Sequence, residues 1–209
     1  MKIFFLFAFS VFCSTFCMAR EYSLEGKAGY FYPTDSRFQK VYSHGGGMYG
    51  LEFNMQTWKQ LYFWSEVDYF YKTGRTEKKF GSTINGSVPC KLKHKKGNHT
   101  HVTLVPISVG LKYYTPPYPV RFYLGAGGLL AYLNSHVSSK YLHSKTAWGG
   151  GAALKSGLLF TIKKAFLIDL FADYYFMYFD LHSHHKRRVY THDANISGWY
   201  WGGALGYSF

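Results

Sequence analysis

The sequence predicts an all-β fold, an eight-stranded antiparallel up-and-down transmembrane β-barrel, and three observations predict it. Apolar and polar residues alternate with a period of two through eight segments. The connectors between those segments are alternately short and long. The composition is 47% hydrophobic and 21% aromatic but only 17% charged, where a soluble domain carries roughly a quarter. Disorder is excluded by the same composition. The 209 residues suit one domain. The longest charge-free apolar stretch, residues 3–19, falls short of the ~20 residues of a membrane helix, which excludes a multi-helix membrane protein.

The strands fall near residues 22–32, 47–56, 61–72, 102–114, 119–133, 147–162, 165–180 and 196–209. In the first, Glu25 and Lys27 share one face and Leu24, Ala28, Tyr30 and Tyr32 take the other. The second sets Glu52, Asn54 and Gln56 against Tyr49, Leu51, Phe53 and Met55, and the third sets Glu66, Asp68 and Lys72 against Leu61, Phe63, Val67, Tyr69 and Tyr71. Lys112 opposes Val105, Ile107, Val109 and Leu111 in the fourth, and Arg121 opposes Phe122, Leu124, Ala126 and Leu130 in the fifth. Lys155 opposes Leu154 and Leu158 in the sixth, while Asp169 and Asp173 oppose Ile168, Leu170, Tyr174 and Phe176 in the seventh. The eighth carries Trp199, Trp201, Leu205, Tyr207 and Phe209 on one face and mostly Gly and Ala on the other.

Alternation does not say which face is inside; the residue types do. The faces with the charges are otherwise built of Gly, Ala, Ser and aromatics, too sparse in polar groups for a watery exterior. They suit the interior of an eight-stranded barrel, just wide enough for side chains to fill. The apolar faces carry Tyr and Trp near the strand ends, as in the aromatic girdles of membrane barrels. The links at 57–60, 115–118 and 163–164 are tight turns, and those at 33–46, 73–101, 134–146 and 181–195 are long. Short periplasmic turns and long outer loops are the pattern of an outer-membrane barrel.

The N-terminal stretch reads as a secretory signal peptide over residues 1–19, with Lys2 as its positive start and Cys17-Met18-Ala19 before the cut. Residues 20–209 are then the barrel domain. Its one remaining cysteine, Cys90, provides no internal disulfide.

Four stretches carry a family likeness: Lys27-Ala28-Gly29-Tyr30-Phe31-Tyr32-Pro33, Arg121-Phe122-Tyr123-Leu124-Gly125-Ala126-Gly127-Gly128, residues 149–157 opening Gly149-Gly150-Gly151-Ala152, and residues 201–209. On these the chain resembles the small outer-membrane β-barrel family, the OmpA/OmpW-like eight-stranded transmembrane domains of Gram-negative bacteria. The resemblance implies an outer-membrane location and recognition by the barrel-assembly machinery, with Tyr207 and Phe209 as the terminal assembly signal. Ala204 departs from the pattern, standing where a glycine is commoner. The fold hosts pores, adhesins, enzymes and plain anchors, so the resemblance implies no single function.

The net charge is +13, and it is concentrated. Fourteen Lys and Arg lie in the four long connectors, as do all ten histidines, against Asp35, Glu77, Asp193 and, at a strand end, Asp180. Such a surface attracts polyanions with strong salt dependence. The densest runs give the candidate polyanion-binding residues Lys91, Lys93, Lys95 and Lys96 in one loop and Lys186, Arg187 and Arg188 in another. Lipopolysaccharide and host glycans are the expected partners, nucleic acid is not, and a monomer is expected. Inside the barrel, Glu25, Lys27, Glu52, Glu66, Asp68, Lys112, Arg121, Lys155, Asp169 and Asp173 are expected to form ion pairs, since an isolated buried charge is costly. If they do not close the lumen, a narrow channel is the alternative.

Neither cofactor nor metal site is expected. The weak metal candidates are His182 and His184, spaced two apart like His99 and His101; no carboxylate or cysteine accompanies them at fixed spacing. A lipid-modifying enzyme is a further alternative, with Asp180, His182 and Ser183 adjacent at the rim. Neighbours on a strand point to opposite faces, so His182 and Ser183 do not pair, and no enzyme is expected.

Overall fold

Inward and outward residues alternate because successive side chains of an extended chain leave opposite faces, and eight such segments form a closed barrel. The computed structural model describes residues 21–42, 44–76, 98–116, 120–137, 145–163, 165–185 and 188–209. The elements are β1 (Tyr22–Pro33), α1 (Ser36–Tyr42), β2 (Gly46–Trp58), β3 (Leu61–Thr76), β4 (Asn98–Tyr114), β5 (Val120–Val137), β6 (Lys145–Ile162), β7 (Phe166–His185), β8 (Arg188–Asn195) and β9 (Gly198–Ser208). Every sequence neighbour in the barrel wall pairs antiparallel, and β9 pairs with both β7 and β1 to complete the ring.

β8 and β9 are two parts of the eighth strand. β7 pairs with β9 from Phe166↔Tyr207 to Tyr175↔Gly198 and with β8 from Tyr178↔Asn195 onward, without a change of register. The regular ladder lapses at Ile196 and Ser197, although Ile196 N still donates to Met177 O at 3.0 Å. Ser197 Oγ accepts from Met177 N at 3.1 Å, and Ser197 O accepts from both Thr34 N and Thr34 Oγ1 at 2.8 Å. A similar lapse faces Pro106, where pairing runs to Val67↔Ile107 and resumes at Phe70↔Leu104. Proline has no N–H to give the ladder.

The ends of the chain are knitted together at the short-turn side. Tyr22 N donates to Phe209 O at 3.1 Å and Phe209 N to Tyr22 O at 2.9 Å, and the two rings stack with centroids 5.9 Å apart. Outward faces carry Leu24, Leu51, Val67, Val109, Leu124, Leu170 and Leu205 among their exposed side chains. Leu205 is 70% exposed. A continuous apolar belt of this kind is foreign to a water-soluble surface and natural to one bathed in lipid.

Two features depart from the sequence reading. The connector expected over residues 33–46 contains α1, started by Asp35, whose Oδ1 accepts from Phe38 N at 3.1 Å. Its Phe38 and Tyr42 rings lie 4.7 Å apart, Phe38 leans on Phe70 at the outer end of the lumen, and Tyr42 reaches Ser135. The strands also run further into the long connectors than expected, to Thr76 in β3, from Asn98 in β4, to Val137 in β5 and to His185 in β7. Beyond the apolar belt a strand has no oily side to mark, so backbone pairing continues where the alternation has stopped.

Glycine makes close strand contact possible in the wall. Gly110 and Gly127 are directly opposed, and a Cβ on Gly127 would meet Val109 O and lie 2.7 Å from Gly110 Cα. The next residue, Gly128, faces outward with nothing within 4 Å of its would-be Cβ. Gly127→Val should therefore lower unfolding free energy in detergent micelles by about 1–3 kcal/mol, and Gly128→Val should change it by less than about 0.5 kcal/mol, both read from urea denaturation.

Candidate functional site

The lumen is filled in layers. At the short-turn end Tyr62, Tyr114, Tyr123, Leu159 and Leu167 pack together. Further in, inward parity brings the charges of six strands to the axis: Glu25 and Lys27 from β1, Glu52 from β2, Glu66 and Asp68 from β3, Lys112 from β4, Lys155 from β6, and Asp169 and Asp173 from β7 come within a few per cent of full burial. Above them Phe31, Met48, Phe70, Leu104, Tyr175, Met177 and Tyr200 form an apolar layer, which α1 overlies.

Three lysines organise the charged layer. Lys27 Nζ lies 2.6 Å from Glu66 Oε1, 2.6 Å from Asp173 Oδ2 and 3.5 Å from Glu52 Oε2. Lys155 Nζ lies 2.7 Å from Glu52 Oε2 and 3.3 Å from Asp173 Oδ2, and it also pairs with Glu66. Lys112 pairs with Glu52. Each ammonium also sits over an aromatic ring: Lys27 over Phe171 at 4.1 Å, Lys112 over Tyr123 at 4.6 Å and Lys155 over Trp64 at 4.4 Å. The negative face of the ring adds to the stabilisation of a desolvated cation. The result is a shared network: Glu52 touches all three lysines.

The remaining carboxyls are held by neutral donors. Glu25 Oε1 accepts from Asn54 Nδ2 at 2.8 Å and from Ser23 Oγ at 3.2 Å. Asp68 Oδ2 accepts from the Tyr175 hydroxyl at 2.9 Å, and Asp169 Oδ2 from the Tyr123 hydroxyl at 2.7 Å. Sequence reasoning did not single out Ser23, Tyr123 or Tyr175 as partners; their inward parity was the available signal. Arg121 differs from the other nine expected members. It stands half-buried at the short-turn mouth, its guanidinium 5.3 Å over the Tyr114 ring. There it lines a cleft of about 230 Å³ with Glu21, Lys59, Tyr62 and Thr115.

At the outer end, Lys91, Lys93, Lys95, Lys96, Lys186 and Arg187 lie outside the described residues, as do residues 1–20. Arg188 opens β8 opposite His185. His182 and His184 occupy β7 opposite Thr191 and Val189. Among the described residues no group of three or more His, Cys, Asp or Glu side chains is arranged to hold a metal. Tyr207 is exposed on the outward face of β9, 5.6 Å edge-to-face from Phe166, and Phe209 is exposed beside Tyr22.

No protein-family model and no curated protein matches the sequence. Solved structures do match in fold. The chain is similar to the outer membrane protein OprG from Pseudomonas aeruginosa, with a TM-score of 0.62 and 14% identity over 90% of this chain and 95% of that one. It is similar to Neisserial surface protein A, with a TM-score of 0.57 and 14% identity over 90% and 97% of the two chains. The N-terminal β-barrel domain of Pseudomonas aeruginosa OprF matches with a TM-score of 0.51 and 14% identity, again over 90% and 97%. The fold is thus that of the small eight-stranded outer-membrane barrels.

The network makes the inward-facing cations unequal in consequence. Lys155→Ala takes from Glu52, Glu66 and Asp173 one of the two buried lysines that all three share and should reduce stability by about 3–5 kcal/mol. Arg121→Gln at the open mouth should reduce it by less than about 1 kcal/mol. Urea unfolding of the two variants in the same micelles compares them directly.

Proposed function

We propose that this chain is an integral outer-membrane protein that holds its basic, histidine-rich outer loops at the cell surface to bind polyanions, lipopolysaccharide or host glycans, in a structural and adhesive role. One observation carries the reading: the charge of the chain is segregated. In the lumen three lysines are paired with Glu52, Glu66 and Asp173, whereas the connectors hold fourteen Lys and Arg against three acids, with Asp180 at a strand end. The uncompensated positive charge therefore stands at one end, where its field reaches an anionic surface over about a Debye length. The exposed apolar belt and the eight-stranded outer-membrane fold support the location. Tyr207 and Phe209 are the residues we assign to recognition by the assembly machinery.

A narrow channel has less behind it. Aromatic layers lie on both sides of the ion-pair network along the axis, and α1 overlies the outer one. Conduction would require that network to part. The enzyme alternative draws on Asp180, His182 and Ser183 of β7; His182 and Ser183 are adjacent and so leave the strand on opposite faces, which does not favour a catalytic triad.

Neutralising Lys91, Lys93, Lys95 and Lys96 to Gln separates the readings. The refolded wild type should be retained on immobilised heparin and released by salt, and the variant should lose most of that retention while remaining folded by circular dichroism. Equal retention of the two proteins overturns the assignment to this loop. In planar bilayers the wild type should show negligible single-channel conductance.

A further inference from the structure

The cleft at the short-turn mouth holds opposite charges that do not neutralise each other. The ion pairs among the described residues all belong to Lys27, Lys112 and Lys155, deep in the lumen. Glu21 and Arg121 line one cleft of about 230 Å³ and take part in none of them. The Tyr62 hydroxyl mediates between the two: it donates to Glu21 Oε2 at 2.8 Å and senses the Arg121 charge. The Tyr114 ring, 5.3 Å from the guanidinium, stabilises that cation without using any of its N–H donors.

The frame around these groups is fixed by hydrogen bonds. Gln56 N donates to Glu21 O at 2.9 Å and Tyr114 N to Gln60 O at 2.9 Å. Thr115 N donates to Phe122 O at 2.9 Å, and Phe122 N donates in return to Thr115 Oγ1 at 3.0 Å. Gln56 Nε2 donates to Lys59 O, which leaves the amide oxygen of Gln56 to accept from a ligand. A site held in place before a ligand arrives loses less freedom on binding.

We propose that this cleft binds the zwitterion of an α-amino acid, with Arg121 taking the carboxylate and Glu21 the ammonium. A guanidinium matches a carboxylate with two parallel N–H donors. A ligand with a carboxylate alone would satisfy Arg121 and stand against Glu21, and a ligand with an ammonium alone would do the reverse. One small group carrying both charges answers both. The volume is below the roughly 300–1,000 Å³ of a drug-sized pocket and suits a single residue. Lys59, its Nζ 5.9 Å from the Trp58 ring, adds a second cation at the rim, where it draws the carboxylate end in first. The site lies at the opposite end of the barrel from the long connectors, so it neither needs the polyanion reading nor shares residues with it.

The same chemistry has two sources: a free amino acid, or an α-amino-acid centre carried on a larger molecule through its side chain. The test uses the full barrel refolded in micelles and titrated with alanine for the first source and Nε-acetyllysine for the second. N-acetylalanine, which lacks the ammonium, and alanine amide, which lacks the carboxylate, are the controls. Binding is read from the backbone amide resonances of Gln60 and Thr115. Alanine should shift them saturably, and at least tenfold more tightly than either control. Binding of Nε-acetyllysine as well extends the site to a tethered zwitterion, and its failure confines the site to free amino acids. Arg121→Gln and Glu21→Gln should each weaken alanine by about tenfold or more, the loss of one hydrogen bond to a charged group, with the urea midpoint little changed. Lys59→Gln should have a small effect. The proposal is overturned if alanine leaves these resonances unmoved, if N-acetylalanine binds as tightly as alanine, or if Glu21→Gln binds alanine as the parent does.

Discussion

Hydrocarbon offers a peptide group no hydrogen bond, and that fact governs this molecule. Each N–H and C=O of a strand passing through lipid must find its partner in another strand, so the sheet has to close on itself. The closing pair is β1 with β9, in register from Ser23↔Ser208 to Pro33↔Gly198. Where the ladder lapses, side chains intervene: Ser197 supplies an acceptor to Met177 N, and Ser156, at another lapse, donates its hydroxyl to Ala172 O at 2.6 Å while its N–H meets Asp173 Oδ1 at 3.3 Å.

Closure in turn creates the second demand. Eight strands enclose a space that their own inward side chains fill, and here those side chains include nine buried ionisable groups. Six of them are tolerable because they are shared, and the other three accept from neutral donors. Lys27 and Lys155 each bridge Glu52, Glu66 and Asp173, three carboxylates from three different strands. A network of this kind ties opposite walls of the barrel together, so its energetic role and its mechanical role are the same.

The two ends of the strands are governed by different rules. At the short-turn end the chain reverses over a few residues, with Lys59 and Lys163 at positive φ, and Trp58 lies 71% exposed beside Lys59 at the rim. At the outer end the strands rise past the apolar belt to different heights.

The sequence by itself determined the number of barrel strands, their faces and the segregation of charge, because a wall with oil on one side and a packed lumen on the other imprints a period of two on every residue it contains. That imprint ends at the edge of the belt. The upper parts of β3, β4, β5 and β7 and the helix α1 left no such pattern, since water accepts either face of a strand. Which carboxylate meets which lysine and the withdrawal of Arg121 to the mouth were decided only by register and barrel closure: these contacts join residues dozens of positions apart, and no local periodicity encodes how one strand slides against the next.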